Sequence, residues 1–239
     1  MDYDLNALAG SYNIDNVYDQ YKRLEFLEKL SNYIDLKEST VLEFGSAAGQ
    51  MTEILSKRAK KVVAVDGSSE FIRIAREKVN NVQFYEAYFE DFAIDERFDC
   101  LIMHHVLEHV KDPISLLFNV SKFLNEDGII AISVPNRDAL SRQLAVKMGL
   151  LSSVRELTEN DINHGHQRTY SWWRLKDEAR ASGYNIIGQH GLYMKLFCDS
   201  QNLEIINAGI IGEEQIHGLW KLADEYKECA GAIMIIIKR

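Results

Sequence analysis

The chain has 239 residues, 46% of them apolar, and a net charge of −9 with pI near 5.3. That is ample material for one α/β core or two small ones, and the acidic balance disfavours a nucleic-acid backbone as partner. No apolar run reaches membrane-spanning length, Met1–Leu5 lacks the regions of a signal peptide, and Cys100, Cys198 and Cys229 fit neither a disulfide framework nor a cysteine zinc site, so a cytoplasmic protein without a membrane partner is expected.

Residues 1–15 are rich in Asp, Asn and Tyr and read as an arm. Over 17–34 the positions Tyr21, Leu24, Leu27, Leu30 and Ile34 keep helical spacing. A strand follows at 41–44, a helix at 50–58, a strand at 62–66 and a helix at 69–80, with Ser68 or Ser69 as its N-cap. Further strands are predicted at 82–85, 100–103 and 129–134. Between the last two, Asp112-Pro113 opens a helix running to about 124 and Glu126-Asp127-Gly128 turns the chain. Repeated β-α-β units imply a parallel sheet with helices on both faces. After Pro135 the pattern changes: a helix near 138–151 and a polar connection occupy 137–170, and 198–228 forms a second insertion. A helix at 171–182, a strand near 185 and a buried strand at 232–237 complete one domain, the insertions covering one sheet edge.

The stretch Val41-Leu-Glu-Phe-Gly-Ser-Ala-Ala-Gly-Gln-Met-Thr52 reads as a strand, a glycine turn and a helix start, a place for a polar or anionic ligand. Asp66 ends the next strand about 20 residues on, where a carboxylate can hold the two hydroxyls of a ribose or simply cap the following helix. A nucleoside-bearing cofactor fits; a nicotinamide dinucleotide fits poorly, because Ala47 and Gln50 stand where its fingerprint has glycines. Parallel sheets bind ligands at the carboxyl ends of their strands, and Gly45, Asp66, Tyr88 and His104 all fall at that edge.

Together V-L-E-F-G-S-A-A-G, V-V-A-V-D-G-S, F-Y-E-A-Y-F-E-D-F and F-D-C-L-I-M-H-H-V-L-E-H-V-K-D-P resemble the consecutive motifs of the class I S-adenosylmethionine (SAM) methyltransferases. The last is similar to that of ubiquinone-biosynthesis O-methyltransferases, and S-R-Q-L-A-V-K-M-G-L-L with H-G-H-Q-R-T-Y resembles a little-characterised bacterial group. The resemblance implies a Rossmann-like doubly wound α/β sheet of seven strands, the last antiparallel, and SAM as cofactor with S-adenosylhomocysteine as product. It places Glu43, Gly45, Ser46 and Gly49 around the methionyl part and sulfonium, Asp66 with Gly67 at the ribose, Tyr88, Phe89 and Glu90 along the adenine, and His104 beside the methionine moiety. Ala47 and Ala48 depart from the family's glycines. Seen alone, Tyr88 and Phe89 are as readily core residues.

Methyl transfer requires alignment with the acceptor lone pair, exclusion of water and, for a hydroxyl, a base. His105, directly after the fourth strand, is the first candidate base; His164 and His166 are the alternatives. His105, Glu108 and His109 have i, i+3, i+4 spacing that would put three donors on one helical face, although a bracing role for Glu108 and His109 is favoured and no metal is expected. Arg137, Arg142, Arg168 and Tyr170, with Lys147 and Lys195, would suit a phosphate or carboxylate on the acceptor, or else form a solvated face. The expected activity is N- or O-methylation of a small polar or anionic metabolite, phosphorylated compounds and glycan precursors included. A phenol or quinol of the ubiquinone type and a SAM-binding module without turnover are the rivals.

Overall fold

The computed structural model describes Asn6 and residues 16–239. Seven strands form one sheet in the order β3-β2-β1-β4-β5-β7-β6. They are β1 (Thr40–Phe44), β2 (Lys61–Asp66), β3 (Gln83–Glu86), β4 (Phe98–His104), β5 (Leu124–Pro135), β6 (Asn185–Leu192) and β7 (Ala232–Lys238). Strands β1 to β5 pair in parallel, and β7 runs antiparallel to both β5 and β6. The seven-stranded Rossmann-like sheet with an antiparallel last strand is therefore present. The order reverses beside β1, which places the carboxyl ends of β1 and β4 at the switch point where such sheets bind ligands.

Two-faced burial explains the apolar runs. Leu42, Phe44, Val63, Val65, Leu101 and Met103 pack on one face under helices α4 (Pro113–Val120) and α7 (Trp172–Ala181). Val41, Val62, Cys100, Ile102 and Met234 pack on the other, beneath α1 (Val17–Leu30) and α2 (Gln50–Ser56), while α3 (Ser69–Lys78) covers Ala64 and Phe84. Strands buried on both faces have no alternation to show, only length and β-branching. The N-caps follow the sequence: Ser68 accepts from Phe71 N–H, and Asp112 from Ser115 N–H with Pro113 in the first turn.

Several boundaries differ for local reasons. Strand β5 begins earlier than expected, yet Glu126-Asp127-Gly128 survives as an irregularity: Phe98 pairs with Leu124 and Cys100 already with Ile129. The helix expected over 138–151 is α5 (Leu140–Lys147), stopped by Gly149 at φ +74°. A short helix α6 (Glu159–Asn163) follows within the first insertion, opened by a capping box between Thr158 and Asp161. In the second insertion α8 (Asp199–Asn207) and α9 (Glu213–Glu225) differ in placement. Asp199 of α8 pairs with Lys22 of α1, whereas α9 lies against β6 at the flank of the sheet. Apart from Asn6, the arm over 1–15 lies outside the described residues.

Candidate active site

The loop after β1 carries the first group of site residues. Gly45 has φ +82°, and a Cβ there would meet Val106 Cγ2 at 2.7 Å; Gly49 has φ +84° at the start of α2. Ala47 adopts φ +44° as well, so alanine takes a left-handed turn here without glycine. Asp66 explains how: its Oδ2 accepts Ala47 N–H at 2.9 Å and its Oδ1 accepts Ser68 N–H at 2.9 Å. The carboxylate thus ties the β1 and β2 loops together, and Ser68 rather than Asp66 caps α3. Burial raises the Asp66 carboxyl above its ordinary value, partly offset by bonds from the N–H groups of Ser68, Ala47 and Gly67. Asn6 reaches the same edge, its Oδ1 lying 2.9 Å from Ser68 Oγ.

Glu43 is buried, with Oε2 accepting the Thr52 hydroxyl at 2.6 Å; burial pushes its carboxyl up to about 8. Ser46 Oγ is buried with no hydrogen-bond partner among the described residues. An orphaned hydroxyl in a small-residue turn between two carboxyls matches a ligand carrying both amino and hydroxyl groups, as SAM does. At the third strand, Phe89 stacks on Phe44 at 4.8 Å and 9°. Its half-buried ring packs beside the aromatic cluster that includes Phe92. Tyr88 is 59% exposed, and Glu90 is exposed beside it.

At the end of β4 two histidines meet edge to face, ring centres 4.5 Å apart. His104 lies with Nδ1 2.7 Å from Ser133 Oγ and its ring edge on Phe26, and burial drives its pKa well below the ordinary value, so it is neutral. His105 has φ +57° and different partners. Its Nδ1 is 3.1 Å from Glu108 Oε1 and its Nε2 is 2.8 Å from the Tyr193 hydroxyl. A carboxylate partner favours the proton on Nδ1, which leaves Nε2 as the acceptor of the Tyr193 O–H. Burial raises the Glu108 carboxyl, but the His105 bond and the neighbouring imidazoles outweigh it and hold it below its ordinary value.

The expected helical face of His105, Glu108 and His109 does not exist, because residues 107–109 form a turn before α4. The turn splits the set: His105 takes Oε1 of Glu108, and the donors of Glu108, His109 and His166 gather within 4.8 Å of one another. Glu108 Oε2 has no hydrogen-bond partner among the described residues. Burial lowers His109 to about 4, a neutral donor. His166 also meets Asp161, Nδ1 to Oδ1 3.3 Å. His164 stays apart from this cluster, its Nδ1 2.7 Å from the Asn160 carbonyl at the end of α6.

The expected cationic group divides. Tyr170 is fully buried and donates to Glu178 Oε2 at 2.8 Å, so it braces α7 and meets no acceptor. Arg142 holds the 152–161 loop through Asp161 at 3.0 Å and the carbonyls of Val154 and Glu156. Arg137 and Arg168 line a cleft with His166 and Thr169, and the buried Nε of each lacks a hydrogen-bond partner among the described residues. A second, larger cleft is walled by Tyr18, Tyr193, Ile206 and Trp220. Tyr193 escaped the sequence reading; its one signal was a tyrosine just after a strand that ends at the same edge as β5.

A family model described as a methyltransferase domain matches residues 16–189. The chain is 26% identical over 134 residues to a ubiquinone biosynthesis O-methyltransferase of Actinobacillus pleuropneumoniae serotype 7 (strain AP76), the match covering 52% of this chain and 56% of that one. It thus spans just over half the length of that curated relative. A solved DhpI–SAM–HEP complex superposes with TM-score 0.61 and 20% identity, covering 98% of this chain and 94% of that one. The [4+2]-cyclase SpnF gives 0.64 at 15%, covering 98% and 91%; such identities show the fold alone. With the model spanning most of the described residues and the cofactor motifs at the switch point, the chain belongs to the methyltransferase-domain family, among the class I SAM-dependent methyltransferases.

Proposed function

We propose that the protein transfers a methyl group from SAM to an oxygen or nitrogen of a small acceptor. The observation that carries this is the convergence, on one sheet edge, of the Glu43–Gly49 turn, Asp66 and neutral His104 with a histidine whose ring is oriented by a buried carboxylate. SAM supplies an electrophilic methyl on a sulfonium. The chain's own residues hold its ribose (Asp66), flank its methionyl part (Glu43, Ser46 and His104) and provide a base, His105, poised by Glu108. Thermal unfolding with SAM, S-adenosylhomocysteine or NAD tests the cofactor: a ligand at 100 times its Kd stabilises by about 2.7 kcal/mol. A shift with SAM that disappears in Asp66→Ala is expected; a shift with NAD alone refutes the reading.

For the acceptor, Arg168, whose buried Nε has no hydrogen-bond partner among the described residues, and Arg137 in the same cleft, its Nε 3.7 Å from Asp138, support a polar or anionic metabolite. Arg168→Ala then raises KM for such an acceptor about tenfold or more and leaves SAM affinity unchanged, the loss of one charge-assisted hydrogen bond. Equal loss of both would count against it. The tyrosine-walled cleft favours a second reading, an acceptor with an aromatic or apolar body such as a phenol. On that reading Arg168→Ala changes neither constant.

A further inference from the structure

Tyr193 is built into place with unusual care. Its backbone sits at φ +39°, a region costly for a side chain as large as tyrosine. Buried Glu25 accepts its N–H at 2.8 Å, 168 positions away in sequence, and Gly231 N–H donates to its carbonyl at 3.0 Å. Gly231 must be glycine, since a Cβ there would lie 2.6 Å from the Tyr193 ring. What this arrangement secures is the aim of one hydroxyl, at His105 Nε2. The ring's other surroundings form the larger cleft, which Tyr18 also lines. Tyr18 is 8% exposed, and its buried hydroxyl has no hydrogen-bond partner among the described residues. A buried phenol beside an open cleft calls for a polar group of a ligand.

We infer that Tyr193 is the residue that receives the acceptor's proton, relaying its own to His105, and that the reacting hydroxyl approaches from the cleft that Tyr18 and Tyr193 both line. This rests on the methyl-transfer reading above. The acceptor O–H bond breaks as its proton moves to Tyr193 Oη; the Tyr193 O–H proton moves to His105 Nε2; the electron pair left on the acceptor oxygen forms the new bond to the methyl carbon as the sulfonium C–S pair returns to sulfur. The imidazolium is balanced by Glu108, and the proton leaves by the reverse route after product departs. Burial holds the Tyr193 hydroxyl well above the ordinary tyrosine value, so it cannot stand as a phenolate and must pass one proton on as it takes another. Lys22 and Lys195 lie beside its ring but are both paired with Asp199, and the Asp199, Glu25 and Glu108 carboxyls keep the hydroxyl protonated between turnovers.

The test uses 4-nitrophenol, whose yellow anion reports its own ionisation. It is titrated with the full chain saturated with S-adenosylhomocysteine, and binding is followed by equilibrium dialysis. The relay predicts that the bound probe ionises about one pH unit or more below the free probe, at least a tenfold shift toward phenolate. Tyr193→Phe keeps the ring and the binding but returns the titration to that of free probe, and His105→Gln does the same. A wild-type protein that leaves the probe unbound or unshifted, or a Tyr193→Phe variant that keeps the shift, overturns the proposal. Stabilisation by S-adenosylhomocysteine with an unshifted probe defeats the relay alone; a shifted probe without that stabilisation defeats methyl transfer instead.

Discussion

Glu43 offers a quantitative check on the buried half of the site. Its carboxyl is removed from water on every side, keeps one hydrogen bond from Thr52 and faces the Asp66 charge, so burial first and that neighbour second favour the protonated form up to about 8. Glu25 is raised to about 8 as well, by burial that outweighs Lys29 at 3.7 Å. The unfolded chain ionises both near their ordinary value of 4.5. Folding therefore takes up a proton at each. The stabilisation is complete below the unfolded value and is lost as pH rises toward the folded one, at about 1.4 kcal/mol per pH unit for each carboxyl. Below the ordinary histidine value of 6.5 the effect is opposed, because His104, His109 and His190 are held down and the unfolded chain binds more protons there. The opposition fades above that value, so a net fall is expected from about pH 6.5 to about pH 7.5. Urea unfolding at those two values, at constant ionic strength, should show wild-type stability falling by up to about 2.7 kcal/mol. Glu43→Gln, which keeps an oxygen for Thr52, should remove at least half of that fall. A wild-type stability that is flat or rises with pH, or a Glu43→Gln slope equal to wild type, would refute the buried neutral carboxyl.

Tyr170→Phe should cost about 1–2 kcal/mol of stability in denaturant melts through the lost bond to Glu178, with acceptor KM unchanged; a change confined to KM would return Tyr170 to the binding surface. Dialysis against EDTA should alter neither the melting temperature nor S-adenosylhomocysteine formation. Activity that vanishes and returns with a divalent cation would make Glu108, His109 and His166 a working metal site.

What the chain spelled out locally was the order of strands and helices and the position of the cofactor edge. Two-faced burial leaves continuous apolar runs, turns demand glycine or a cap at fixed offsets, and both signals lie within a few residues, as in Val41–Phe44, Gly45 and Ser68. Where a side chain spends its hydrogen bonds was not legible in that way. His105 was visible as a histidine after a strand, but its partner Tyr193 is 88 positions away. That Glu178 of α7 would meet the Tyr170 hydroxyl, and that Phe44 would stack on one face of Phe89, no local pattern announced. The helical face of His105, Glu108 and His109 failed because residues 107–109 form a turn, and His105 pairs instead with Tyr193, just after β6. Periodicity is a property of neighbours along the chain; the pairing of a buried polar group is decided by whatever distant element closes over it.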